Sequence, residues 1–337
     1  MTVLRVGMIG TGWMGDAIVD DFRSSRLDLH AVAGRDRDRT ERFAEVNEIP
    51  RAVSVDELLR LGLDLIYVAT PHNSHLALAE RALSTGHPVL VEKAFTMDGR
   101  EAEELISLAR RRGLFLMEAM WMRFTPGLRR AAGLIADGAI GDPRTLMASF
   151  GMALPFGDHR LRDPDRGGGS LLDQGVYPIA LADEIFGEPD TVAATGSTVD
   201  ADGRDLGVET EVAMLLGYRS GQQAAVATSF RTDLPLSATI GGYDGRISLE
   251  PAFWNADALV LHRRGRDPER IEFRHTGRGY VPMLDAVHEA LVGGWAEHPL
   301  SDHAATLRVM RTADRVRDSL RSGPDRARSG SGDADLH

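Results

Sequence analysis

"LRVGMIGTGWMG", residues 4–15, decides the fold. An apolar run of strand length leads straight into Gly10, Gly12 and Gly15, which have G-x-G-x-x-G spacing, and an amphipathic helical stretch follows them. The spacing alone is common. Between a strand and a helix, in the first βαβ unit, it has the setting of a dinucleotide cradle. Gly10 permits the tight turn, Gly12 lets the backbone approach a pyrophosphate, and Gly15 lets the helix pack closely on the strand. The helix start then offers free N–H groups and partial positive charge to the phosphates. Trp13 and Met14 lie in the same cofactor-facing loop. The competing reading is a glycine-rich turn that serves packing alone.

Outward from this stretch, strand-like runs alternate with helical ones up to about residue 120. Apolar strands are expected at 4–10, 29–34, 63–70, 88–92 and 114–119, with helices at 14–22, 38–46, 74–84 and 98–112. Strands that are apolar throughout, separated by helices of this length, make a parallel sheet covered on both faces. Past residue 123 the rhythm changes. A helix near 126–136 precedes a strand around 146–152, a Gly-rich turn and another helix, and 191–274 reads mostly as strands. Asp244-Gly245 in "GYDGR" (242–246) reads as a hairpin turn. Two helices follow near 281–292 and 301–321. The fold class is therefore α/β. A Rossmann-type doubly wound parallel sheet spans 1–122, and 123–322 form a substrate-binding and oligomerisation α+β domain with a largely antiparallel open sheet. Residues 323–337 are polar and read as a disordered tail.

Composition narrows the function. The 337 residues carry a net charge of −11, which argues against a general nucleic-acid surface. Cysteine is absent, which excludes disulfides, thiolate metal sites and cysteine nucleophiles. The apolar runs are too short to span a membrane. The chain enters a strand too soon for a signal peptide, so cytoplasmic residence is expected. His72 and His75 could share a metal by spacing, but no third ligand is evident nearby, and no metal is expected.

The second strand bears on the choice of dinucleotide. It ends "AVAGRDRDR" (31–39), with Gly34 at the end position and Arg35 next. A small residue followed by a guanidinium leaves room for a 2′-phosphate and grips it, which favours NADP over NAD. Arg37 and Arg39 add charge. If the strand ended one or two residues later, Asp36 would instead be an acidic ribose partner.

"PVLVEKAF" (88–95) holds Lys93, the only lysine in the chain; the other 38 permanent cations are arginine. Glu92 and Lys93 fall at the carboxyl end of a strand, where ligands of doubly wound sheets bind. Thr70, Pro71 and His72 reach the same edge, and His75 lies close by on the cofactor side. An ammonium is compact and its pKa is tunable, whereas a guanidinium is bulkier and always charged. A second constellation is "GGGSLLDQGVYPIALADEIFG" (167–187). Asp173 and Tyr177 are four residues apart on a helix that is otherwise largely apolar, and so share a face. One reading is a buried tyrosine tied to Asp173. The other makes Tyr177 the proton donor to a carbonyl oxygen, its pKa lowered by a neighbouring ammonium.

In this order, G-x-G-x-x-G, "ATPHNSH", "EK" after a strand and "GGGSLLDQGVYPI" resemble the glucose–fructose oxidoreductase and inositol dehydrogenase family. "FLMEAMWMRFTP" (115–126) and "GRISLEPAFW" (246–254) look most like its dihydrodiol and xylose dehydrogenase branch. The resemblance runs from residue 3 to about 322. It implies a tightly held nicotinamide cofactor, a sugar, keto-sugar, polyol or cyclic diol substrate, and a sheet domain that often forms a dimer face, so a homodimer or homotetramer is expected. Carried over by motif, Lys93 is the catalytic lysine and Tyr177 the catalytic histidine or tyrosine. Asp173 is the acidic partner one turn earlier, and Arg35 is the arginine beside the 2′-phosphate.

One departure stands out. The family usually writes Glu-Lys-Pro, and residue 94 is alanine here, which removes a local constraint on how Lys93 is presented. Trp121, Arg123, Phe253, Trp254 and Tyr280 are candidate substrate-pocket residues, with domain-interface packing as the alternative. The expected function is an NADP(H)-dependent oxidoreductase acting on CH–OH groups. Its rivals are a catalytically silent cofactor-binding regulator and a redox-neutral glycosidase or epimerase with a recycled cofactor.

Overall fold

The computed structural model describes residues 3–154, 160–200 and 202–322; the tail at 323–337 lies outside them. The first sheet contains β1 (Leu4–Ile9), β2 (Leu27–Ala33), β3 (Ala52–Val53), β4 (Leu65–Val68), β5 (Val89–Glu92) and β6 (Leu116–Ala119). All its pairings are parallel, in the order β3-β2-β1-β4-β5-β6. β4, β5 and β6 are buried along their whole length, as expected for strands covered on both faces. The covering helices are α1 (Trp13–Ser24), α2 (Arg37–Val46), the single turn α3 (Val55–Leu58), α4 (His75–Ser84) and α5 (Gly99–Arg112). The two-residue strand β3 and the turn α3 carry too little periodicity to be read from sequence.

α6 (Pro126–Ala136) leads into the second sheet. Its strands are β7 (Pro143–Gly151), β8 (Thr191–Ser197), β9 (Glu211–Gly217), β10 (Gln223–Ser229), β11 (Ala238–Gly242), β12 (Gly245–Leu249), β13 (Ala258–Arg263) and β14 (Glu269–Glu272). The sheet is antiparallel except where β10 runs parallel to β7. The hairpin at 242–246 forms, but its connection is Tyr243–Asp244 rather than Asp244-Gly245, because Gly245 already belongs to β12. α7 (Val176–Phe186) covers one face, and the other leaves Met147 and Leu215 exposed. No helix among the described residues is long and apolar enough to cross a membrane.

α8 (Val281–Val292) and α9 (His303–Ser322) return to the first sheet. Asp314 on α9 accepts the Gly99 amide at 2.8 Å, capping α5 from a distant part of the chain. Asp21 on α1 is fully buried and accepts the amides of Arg278 and Tyr280. Both contacts tie the late part of the chain to helices of the first sheet.

Candidate active site

β1, β4 and β5 are neighbours in the sheet, so their carboxyl ends line up. Those ends deliver the glycine turn, Thr70–His72 and Lys93. Gly10 has φ +129°, and a Cβ there would sit 2.2 Å from the Ala69 carbonyl oxygen. No L-residue fits that combination. Gly12 is the N-cap of α1, has no side-chain cap, and its missing Cβ would face open space. Gly15 brings α1 close; a Cβ there would lie 3.1 Å from the Gly10 oxygen. Uncapped helix N–H groups above a cleared glycine surface fit a pyrophosphate. Trp13 is 72% exposed at the rim, and Met14 touches the Tyr280 hydroxyl through its sulfur. Gly10→Ala is expected to destabilise the fold by about 2 kcal/mol or more and to abolish binding of a nicotinamide dinucleotide. Thermal denaturation and a fluorescence titration check this; wild-type values in both would contradict the cradle.

β2 ends at Ala33, with Gly34 next and Arg35 exposed beyond it. Asp36 is the N-cap of α2, and its Oδ1 accepts the Arg39 amide at 2.9 Å. Arg39 reaches back to donate to the Thr11 carbonyl at 2.8 Å, laying a guanidinium beside the glycine turn.

Lys93 sits just past β5 with its side chain 11% exposed. Its Nζ donates to the Asp173 carbonyl at 2.7 Å, lies 3.5 Å from Asp173 Oδ1 and is 4.8 Å from the centre of the Tyr177 ring. The helix expected within 167–187 is not α throughout. Leu171–Gly175 is a π-helical turn that carries Asp173, and α7 begins at Val176. Such turns re-aim side chains and recur at functional sites. Asp173 does not bond the Tyr177 hydroxyl, contrary to the packing reading of that pair. Trp121 Nε1 donates to that hydroxyl instead, at 2.9 Å. The phenol's own proton therefore stays available for a ligand.

The expected lowering of the Tyr177 pKa is corrected. Burial pushes it well above the ordinary phenol value, and Glu92 adds to the rise, while the Trp121 bond opposes it. The ammonium lies over the ring face, not at the oxygen, so it does little to favour phenolate. For Asp173, burial acts to raise the carboxyl, but the opposing charge of Lys93 leads a set of interactions that hold it below the usual range. Glu92 is pushed up to about 6 by burial, against a 2.5 Å hydrogen bond from Tyr67 and the charge of Lys93.

His72 is brought to the site as a brace: its Nδ1 lies 2.8 Å from the Gly167 carbonyl. Burial, and then the charges of His75 and Lys93, lower its pKa to about 3, so it is neutral. His75 is fully buried with Nε2 2.8 Å from the Thr70 oxygen and Nδ1 3.0 Å from the Ala94 oxygen. It ties the end of β4 to the lysine turn. The Lys93–Ala94 peptide is cis although residue 94 is alanine.

The aromatic candidates converge only in part. Trp121 and Tyr280 lie 4.5 Å apart, and Trp254 stacks on Phe150 at 3.9 Å with Tyr177 5.9 Å away. Phe253 is buried behind Trp254 and backs it. Arg123 does not join the wall. Its guanidinium is buried in ion pairs with Asp183 at 2.9 Å and Glu184 at 2.8 Å, so its donors are not free for a substrate hydroxyl. Sequence reasoning missed Phe150, which is indistinguishable from any core residue of β7. It also missed Tyr67, whose signal was a phenol within a wholly apolar strand.

Residues 4–120 match the model described as "Oxidoreductase family, NAD-binding Rossmann fold", and residues 128–248 match that of the GFO/IDH/MocA C-terminal domain. The chain is 32% identical to trans-1,2-dihydrobenzene-1,2-diol dehydrogenase of Mus musculus, over 88% of this chain and 91% of that protein. The Sus scrofa enzyme of the same name is 30% identical, over 94% and 97%. A 3-ketoreductase from Actinomadura kijaniata, crystallised with NADP and TDP-benzene, superposes with a TM-score of 0.84 at 29% identity, covering 95% of this chain and 98% of that one. An aldose-aldose oxidoreductase from Caulobacter crescentus shares the fold at a TM-score of 0.88 and 24% identity, over 96% and 98%.

Proposed function

The chain belongs to the GFO/IDH/MocA family of NAD(P)-dependent oxidoreductases, and from that premise we propose that it moves hydride between NADP(H) and a hydroxyl- or carbonyl-bearing carbon of a cyclic, carbohydrate-like substrate. Sugars, keto-sugars, polyols and cyclic diols are the candidates. The observation that carries the reading is the sole lysine, with Nζ 2.7 Å from the Asp173 carbonyl and 4.8 Å from the Tyr177 ring centre, beside the glycine cradle. When bound, the nicotinamide supplies or accepts the hydride.

The chain's own groups handle the proton. In the reducing direction Tyr177 gives its phenolic proton to the substrate oxygen, and in the oxidising direction it takes that proton back. A phenol kept protonated by burial suits the first role. Lys93 faces the same space and holds the substrate oxygen by a charge-assisted hydrogen bond. Asp173 fixes Lys93. Trp254, Phe150, Trp121 and Tyr280 offer flat apolar surface to one face of a ring and exclude water. The relatives named for a cyclic diol, and the ketoreductase bound to a ring-bearing nucleotide, support a cyclic substrate. The exposed Met147 and Leu215 on the second sheet support a homodimer or homotetramer joined by that face.

NADP is the proposed cofactor because Arg35 is exposed just past the end of β2 and Asp36 serves as a helix cap. Arg35→Ala is expected to weaken NADPH binding by about tenfold to a hundredfold and to leave NADH nearly unchanged, since only the 2′-phosphate is lost as a partner. Titration of both nucleotides tests it. Equal losses for the two would remove Arg35 from 2′-phosphate recognition.

A further inference from the structure

Beneath Lys93 lies a pair of buried groups that the proton-transfer scheme does not use. Tyr67 is fully buried on β4 and Glu92 is 2% exposed at the end of β5. The Tyr67 hydroxyl donates to Glu92 Oε1 at 2.5 Å, and Glu92 Oε2 accepts the backbone N–H of Lys93 at 3.0 Å. A phenol and a carboxyl inside an apolar parallel sheet are costly unless they satisfy each other. Here they do, and the carboxylate's second oxygen is directed at the one amide whose placement sets where the lysine side chain begins.

We propose that Tyr67 and Glu92 act as positioning residues for Lys93: the phenol fixes the carboxylate, and the carboxylate fixes the lysine amide, so the ammonium is held against Asp173 and Tyr177. This rests on the reading of Lys93 as the catalytic lysine. The turn lacks the proline the family usually has after the lysine. Its backbone is gripped by side chains on both sides, with Glu92 on the Lys93 N–H and His75 on the Ala94 carbonyl.

The pair also makes the lysine's placement sensitive to acid. Glu92 titrates near 6, and protonation weakens its bond to the Lys93 amide. The ionisable groups around it are Tyr67 on β4, Lys93 beside it, Glu118 on β6, Arg160 from the loop before α7, Tyr177 on α7 and Tyr280 before α8. Of these, the Tyr67 hydrogen bond and then the charge of Lys93 do most to keep it ionised. Without the Tyr67 hydroxyl, the Glu92 pKa rises, so activity should fail at a higher pH than in the wild type.

The test is the pH profile of kcat for the full chain with saturating NADPH, in Tyr67→Phe and Glu92→Gln. Tyr67→Phe keeps the ring and should bind NADPH with unchanged Kd, leave KM within about twofold, lower kcat and move the acid limb up by about one pH unit. Glu92→Gln can keep both contacts, with Tyr67 turned from donor to acceptor, but does not titrate; the limb near pH 6 should disappear. Profiles of both variants that superpose on the wild type after scaling would overturn the proposal. So would a Tyr67→Phe enzyme that loses NADPH affinity and stability in proportion to its activity. Lys93→Arg, measured alongside, separates the two levels: full activity there removes the underlying reading, whereas an inactive arginine variant with unshifted Tyr67→Phe and Glu92→Gln profiles removes only this inference.

Discussion

Lys93→Arg is expected to lower kcat by about a thousandfold while NADPH still binds, although the charge is conserved. The effect follows from the shape of the space. Nζ is confined between the Asp173 carbonyl at 2.7 Å, the Asp173 carboxylate at 3.5 Å and the Tyr177 ring, with the side chain 11% exposed. A guanidinium is planar, carries its donors in a fixed fork and needs more room than this pocket leaves. It would push the Tyr177 ring or the π-helical turn away from the reacting position, and misplacement of about an ångström is enough for losses of this order. Cofactor affinity should be spared, because the glycine turn and Arg35, proposed to hold the dinucleotide, are unchanged in this variant. Steady-state kinetics and an NADPH titration on the same preparation separate the two effects. Near-normal turnover in the arginine variant would contradict the role given to Lys93.

Tyr177→Phe is expected to cost a further large factor, about 10²–10⁴ in kcat, the range typical of losing a general acid or base. The change removes one oxygen and leaves the ring packed against Phe150 and Trp254. It also leaves Trp121 Nε1 without its acceptor, which should lower stability by about 1–3 kcal/mol, so activity must be read well below the melting temperature. KM should change little, since the phenol's proton matters most as charge develops on the substrate oxygen. A fully active phenylalanine enzyme would return Tyr177 to packing, with its hydroxyl serving only Trp121.

The sequence was most legible where local rules suffice. The glycine spacing, the apolar strands and the helices between them determine the first sheet, because a parallel sheet buried on both faces has a simple signature. The position of Lys93 past β5 was also readable, since strand ends in doubly wound sheets have a known outlook, whereas β2 ends at Ala33, one residue before the Gly34 that the sequence offers as its end. Contacts made across long chain separations were not. Arg123 reads as a pocket arginine until Asp183 and Glu184 are seen folded over it, and nothing in "MWMRF" signals those carboxylates. The Tyr177 pKa was misjudged because a nearby cation was assumed to face the oxygen, whereas it faces the ring and burial dominates. The π-helical turn at Leu171–Gly175 follows from tertiary packing, which a 3.6-residue pattern does not reveal.

Net hydride transfer is tested most directly by the stoichiometry of NADPH oxidation during turnover. The full chain would be offered keto-sugars with NADPH, and sugars and cyclic diols, trans-1,2-dihydrobenzene-1,2-diol among them, with NADP. The expected result is one nicotinamide converted per product formed, followed by absorbance and product analysis together. Product accumulating while the nicotinamide absorbance stays constant would mean a redox-neutral reaction, and NADPH binding with no turnover of any compound would mean a silent cofactor-binding protein; either would contradict net hydride transfer between the nicotinamide and the substrate.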